Sequence, residues 1–216
     1  MSVFGSLQKS FVAGLFKKLF RVKIINPENE PVDENIKSYV ACINHSSNWD
    51  PILIGACMHR PLRYMAKAEL FKIPVLNLIV KLFGAYPVKR DTADVLSVKT
   101  TINILENGEV VGMYPQGHRA KKIPPDKITP KHGVAMVAFR AKTGILPVSV
   151  ITKGYKIRMF HKTIVVFGEY ISFEKLEEMA KELGDINSIN LYKIITEKVY
   201  GIILENYYKY DTLNKK

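Results

Sequence analysis

The sequence predicts an α/β fold: a central mixed, largely parallel β-sheet flanked by helices, with an N-terminal amphipathic membrane-surface helix. Three observations predict it. From Ser38 onward, short apolar runs of strand length alternate with longer segments whose apolar residues recur every three or four positions. Apolar residues make up 47% of the 216, which supports a sizeable core and excludes global disorder. Residues 3–21 carry an apolar stripe with cationic flanks and no acid. The expected division is therefore 1–24, a membrane-associating helix, and 25–216, one α/β domain closed by helices over 173–208.

In the first segment Phe4, Leu7, Phe11, Leu15 and Leu19 recur at helical spacing, and Val12, Phe16 and Phe20 widen the stripe. Lys9, Lys17, Lys18 and Arg21 suit lipid phosphates, the profile of a helix lying in a membrane interface. The same pattern also fits a helix packed on its own domain. Asn26–Pro31 reads as a turn-rich, acidic linker. Ser38–Asn44 reads as a strand. Pro51–His59 reads as a helix, with Asp50 as its cap and proline in the first turn. Leu62–Ala66 is a strand, and Glu69–Phe83 a helix interrupted by Pro74. That helix is more apolar than one core-facing side requires, so part of it is expected to meet an acyl chain or lipid.

Ala85–Val88 is a short strand, Thr92–Asn107 a helix stopped by Gly108, and Val110–Tyr114 a strand. His118–Pro130 is a proline-rich basic loop. Gly133–Lys142 is a helix. Ile145–Thr152, Tyr155–Phe160 and Thr163–Phe167 read as strands, the last two as a hairpin. Helices over Phe173–Leu183 and Ile186–Tyr207 follow.

The net charge of +12 points to an anionic partner: nucleic acid, an anionic membrane or a phosphorylated small molecule. The excess divides between the N-terminal segment and residues 67–166. No apolar run reaches the ~18–20 residues that a spanning helix needs. Lys17 and Lys18 break any signal-peptide core, and Ser2 is not the glycine that myristoylation requires. Cys42 and Cys57 form no metal-binding or redox pattern and read as buried thiols in a reducing compartment.

Asn44-His45-Ser46-Ser47-Asn48-Trp49-Asp50-Pro51 falls at a strand-to-helix junction, where side chains converge on a cleft. A histidine acting as base needs a partner that fixes its tautomer and steadies its protonated form. A carboxylate across a tight turn supplies that. His45 with Asp50 is thus a candidate general base and its orienter. A plainer reading also stands: Asp50 caps the following helix and His45 ends a strand. No G-x-S-x-G elbow is present, so direct transfer is favoured over a serine-bound intermediate. Two further strand ends present Lys89-Arg90 and Gly117-His118-Arg119. Arginine suits a phosphate, and the Gly117 N–H is a candidate donor to phosphate or an oxyanion. No RNP-like, helix-turn-helix or zinc-finger pattern supports nucleic acid as partner.

Taken in order, these motifs resemble the 1-acyl-sn-glycerol-3-phosphate (lysophosphatidic acid) acyltransferases. Asn44, His45 and Asp50 match N-H-x-x-x-x-D. Gly84, Tyr86 and Arg90 match a G-x-aromatic-x-x-x-R segment. Tyr114, Pro115, Gly117 and Arg119 match [FY]-P-E-G-T-R, and Ile145–Val148 an apolar strand with a central proline. Ala66–Phe71 resembles the family's K-x-E-L segment. The third motif departs from the pattern, with Gln116 in place of glutamate and His118 in place of threonine. An amide cannot act as base, which leaves Gln116 hydrogen bonding to substrate or loop. The resemblance implies that Asp50 orients His45 and that His45 deprotonates the acceptor hydroxyl. That oxygen then attacks an acyl thioester of acyl-carrier protein or coenzyme A. Arg90, Arg119, Lys67, Gly117, Gln116 and Asn44 fall on the substrate side. No cofactor or metal is required, and the product is phosphatidic acid, made by a peripheral protein on the cytoplasmic face of the membrane. Rival readings are another acceptor, such as glycerol-3-phosphate or another lysophospholipid, and a non-enzymatic basic membrane or nucleic-acid binding protein.

Overall fold

The alternation that begins at residue 38 resolves into a sheet whose two faces follow from strand periodicity. The computed structural model describes residues 11–88 and 95–214. Its strands are β1 (Val22–Ile25), β2 (Tyr39–Ile43), β3 (Leu62–Lys67), β4 (Ala85–Val88), β5 (Val110–Met113), β6 (Gly144–Thr152) and β7 (Thr163–Phe167). They lie in the order β1-β7-β6-β2-β5-β3-β4. Every neighbouring pair is parallel except β6 with β7, so the mixed, largely parallel sheet expected from the sequence is present. The helices are α1 (Phe11–Leu19), α2 (Asp50–Cys57), α3 (Pro74–Leu82), α4 (Val95–Glu106), α5 (Gly133–Ala141), α6 (Phe173–Glu182) and α7 (Ser188–Tyr210).

Successive side chains of a strand point to opposite faces. In β2, Tyr39, Ala41 and Ile43 meet Phe20, Leu53 and Ile54 from the α1 and α2 side. Val40 and Cys42 meet the other core, built from α4, α5, α6 and α7. The chain therefore leaves β2 through α2 on the first face. It leaves the adjacent β5, through a long loop, toward α5 on the second. Neighbouring strands whose connections part in this way open a crevice beyond their C-terminal ends.

Several expectations change. The helix expected over 3–21 is described only as Phe11–Leu19, and the rest of its N-terminal part lies outside the described residues. Its Phe16 and Phe20 pack inward, with ring centroids 6.1 and 5.5 Å from Trp49, while Leu15 stays 53% exposed. Val22–Ile25 forms an unforeseen edge strand, so the division expected at residue 24 falls inside β1. Four residues are too few to show a period. They become a strand because β7 offers a free edge.

The 26–31 segment is not a solvated linker. Buried Glu30 accepts hydrogen bonds from the Tyr39 hydroxyl (3.0 Å), the His59 N–H (2.8 Å) and the Arg60 N–H (3.1 Å). Residues 155–160 form no strand. Lys153–Tyr155 is a 3-10 turn, and β7 pairs with β6. Pro74 starts α3 after a 3-10 turn over Ala68–Lys72, because proline tolerates only the first helical turn. No helix among the described residues is long and apolar enough to cross a membrane.

Candidate active site

The turn between β2 and α2 folds back on its own carboxylate. Asp50 does not cap the helix that it begins, as the sequence suggested; no side-chain cap bond is made there. Its Oδ2 instead accepts the N–H groups of Ser46 (2.7 Å) and Ser47 (2.8 Å), which draws the turn tight. The same oxygen lies 2.7 Å from His45 Nδ1. A carboxylate oxygen held by two amide donors can only accept, so Nδ1 carries the proton. The lone pair is left at Nε2. Asp50 is fully buried and His45 8% exposed.

Three further contacts fix the histidine. Its ring stacks on Tyr114 at the end of β5, with centroids 4.1 Å apart. Its backbone N–H donates to Gln116 Oε1, and its carbonyl accepts from the Ala120 N–H at 2.9 Å. The Tyr114 hydroxyl is buried and has no hydrogen-bond partner among the described residues. Burial, then the Asp50 charge, then Tyr64 push this phenol well above its ordinary range, so it stays protonated.

The remaining expected residues divide into two groups. Asn44 and Gln116 are buried and internally engaged. Asn44 donates to the Val150 carbonyl (3.0 Å) and accepts the Val150 N–H (2.7 Å), continuing the β2–β6 ladder one step beyond Ile43. Gln116 Nε2 donates to the Tyr200 hydroxyl of α7 at 3.1 Å. Lys67, at the end of β3, and Arg119, in the loop after β5, are exposed on the same edge of the sheet as His45. Neither makes an ion pair or side-chain hydrogen bond among the described residues. Arg90 lies outside the described residues. The Gly117 N–H is not free for an oxyanion: it closes a turn onto the Tyr114 carbonyl at 3.0 Å. Glycine suits the position because its φ of 71° is one that other residues rarely adopt. No group of three or more histidine, cysteine or acidic residues suited to a metal occurs among the described residues.

This geometry can take a proton at His45 Nε2 and return it. A sequence profile described as Acyltransferase matches residues 21–151, more than half of the chain and all of the strand ends just described. The chain belongs to the acyltransferase family. It is similar to the 1-acyl-sn-glycerol-3-phosphate acyltransferase of Bacillus subtilis, 34% identical over 127 residues. These make up 58% of this chain and 60% of that protein. The enzyme of the same description from Streptococcus pneumoniae is 28% identical over 156 residues, 69% of this chain and 55% of that one. The chain thus spans less than two thirds of either relative. The fold is similar to that of the 1-acyl-sn-glycerophosphate (LPA) acyltransferase PlsC from Thermotoga maritima. That comparison has a TM-score of 0.67 and 22% identity, covering 97% of this chain and 83% of that one.

Within this site, sequence reasoning missed two contributors. Tyr114 is legible as a motif residue, but only the approach of β5 to β2 sets its ring against His45. Tyr200 has no local signal, since it meets Gln116 from 84 residues away.

Proposed function

We propose that this acyltransferase moves a fatty acyl group from a thioester of acyl-carrier protein or coenzyme A to the free hydroxyl of lysophosphatidic acid, making phosphatidic acid. The observation that carries this reading is the His45–Asp50 pair, 2.7 Å apart in a turn over the crevice. In the proposed step His45 Nε2 takes the hydroxyl proton as the oxygen attacks the thioester carbonyl. The tetrahedral intermediate then expels the thiolate, which receives that proton from the imidazolium. Asp50 steadies the imidazolium between the two transfers. Arg119 and Lys67, with Arg90, supply the positive charge for the acceptor phosphate. No cofactor or metal is needed for this chemistry.

A position at the membrane surface fits the reading. Ile73, Val75 and Leu78 are 53%, 72% and 69% exposed between exposed Lys72 and Lys81. Phe83, just past α3, touches Phe16 of α1, which also carries Lys17 and Lys18. Large aliphatics rimmed by lysines suit an anionic bilayer, here the cytoplasmic leaflet. Exposed Lys121, Lys122 and Lys127 suit an acidic carrier protein.

The test is to incubate the purified chain with lysophosphatidic acid and either acyl-carrier-protein or coenzyme A thioesters, then look for phosphatidic acid. Glycerol-3-phosphate and other lysophospholipids serve as competing acceptors. Preferential transfer to another acceptor would overturn the assigned substrate. No transfer from any donor to any acceptor by folded protein would overturn the reaction.

A further inference from the structure

Gln116 stands where the resembled motif has glutamate, and the structure shows what the amide can do that a carboxylate cannot. Its side chain is buried and spans from the backbone of His45 to α7. The His45 N–H can only donate, so Oε1 faces it and Nε2 must face Tyr200. Nε2 donates to the Tyr200 oxygen at 3.1 Å. The single hydroxyl hydrogen of Tyr200 is then free to go to the Pro125 carbonyl at 2.9 Å, and that carbonyl can only accept. Burial pushes the Tyr200 phenol up, so it keeps this hydrogen. Every link runs in one direction.

We propose that Gln116 is a positioning residue whose neutral amide carries a one-way hydrogen-bond relay from His45 through Tyr200 to Pro125, holding the general base and the Arg119 loop in one register. The loop has other attachments, Ala120 N–H to the His45 carbonyl and Lys131 N–H to the Pro115 carbonyl, so losing the relay loosens it without unfolding the domain. An ionised glutamate here would accept at both oxygens. It would turn the Tyr200 hydrogen toward itself and strip the Pro125 carbonyl of its donor. A protonated glutamate would restore the relay. The titratable groups around the relay are His45, Tyr155 and Tyr207, which line a small pocket with Gln116, and Cys42, Asp126 and Tyr208 around Tyr200.

The experiment compares the full chain with Gln116→Glu, Tyr200→Phe and the double variant. Hydrogen exchange of peptides over 117–128, corrected for intrinsic rates, is followed from pH 5.5 to 8.5. Gln116→Glu is expected to speed loop exchange about tenfold at the alkaline end and to return toward the parent at the acid end. Tyr200→Phe is expected to speed it at every pH, and the double variant to add nothing further. Parent-like exchange in Gln116→Glu throughout, or additive effects in the double variant, would overturn the relay.

The kinetic readout rests on the proposed reaction, and kcat/KM of Gln116→Glu relative to parent should fall as pH rises. A mere charge beside His45 would favour the imidazolium and move activity toward higher pH, so a relative rise would also overturn the relay. If the parent transfers no acyl group while exchange behaves as expected, the reaction fails and the relay stands.

Discussion

The turn over 44–50 and the cationic rim around it are built in opposite ways. In the turn each group that matters is buried and engaged: Asp50 by two amides and an imidazole, His45 by Asp50, Gln116, Ala120 and Tyr114. On the rim, Lys67 and Arg119 extend exposed side chains from a strand end and a loop. The contrast follows from what each is proposed to do. A base needs one tautomer and one orientation before substrate arrives, and only a dense hydrogen-bond shell supplies them. A cation that meets a phosphate loses little by waiting in water, because the ligand itself provides the partner.

This contrast can be broken at four points. The largest effect is expected for His45→Ala. It should lower acyl transfer by about 10²–10⁴-fold, the range for a positioned general base, in a protein that stays folded but melts lower, because Asp50 loses the Nδ1–H donor and Tyr114 its stacked ring. Full activity in the purified variant would remove His45 from the mechanism. Asp50→Asn should lower activity and stability together, because two turn amides and Nδ1–H share the oxygen that it alters. Urea denaturation should show a loss of about 1–3 kcal/mol, and unaltered stability would mean that the turn is not held by this carboxylate.

Arg119→Ala should behave differently, raising KM for the phosphorylated acceptor about tenfold with kcat and melting nearly unchanged. A fall in kcat alone would place Arg119 with the turn and erase the distinction.

The smallest effect concerns the loop that carries the rim. The Tyr208 hydroxyl donates to Asp126, which, helped by Lys127, holds that carboxyl below its usual value. A depressed carboxylate contributes stability above its unfolded pKa and loses it as pH falls through the folded value. Tyr208→Phe should therefore cost under about 1 kcal/mol at neutral pH, since Asp126 is exposed. The difference in urea midpoint from the parent should close below about pH 4. A difference that grows with acid would mean that the bond is not to the carboxylate.

Much of the site was legible because its chemistry is local. His45 and Asp50 are five residues apart, and a strand followed by Pro51 leaves room only for a tight turn between them. The role of Asp50 as helix cap was read wrongly for the same local reason: its position fits a cap, and only the folded turn shows its oxygens pointing back. The hairpin expected over 155–167 failed because strand propensity does not say which edge is free; β6 already offered one to β7. The 26–31 segment reads as a linker because no neighbour in sequence reveals the donors near residue 59 that bury Glu30.

By itself the sequence determined the alternation of strands and helices from β2 to β6, the His45–Asp50 spacing and the succession of motifs at strand ends. These depend on periodicity and on turn geometry over a few residues. Only the tertiary structure decided that β1 completes the sheet, that the Tyr114 ring lies against His45, and that Gln116 reaches Tyr200. Each of these joins groups far apart in the chain. Such contacts form only once the packed core has brought their elements together, so no local pattern records them.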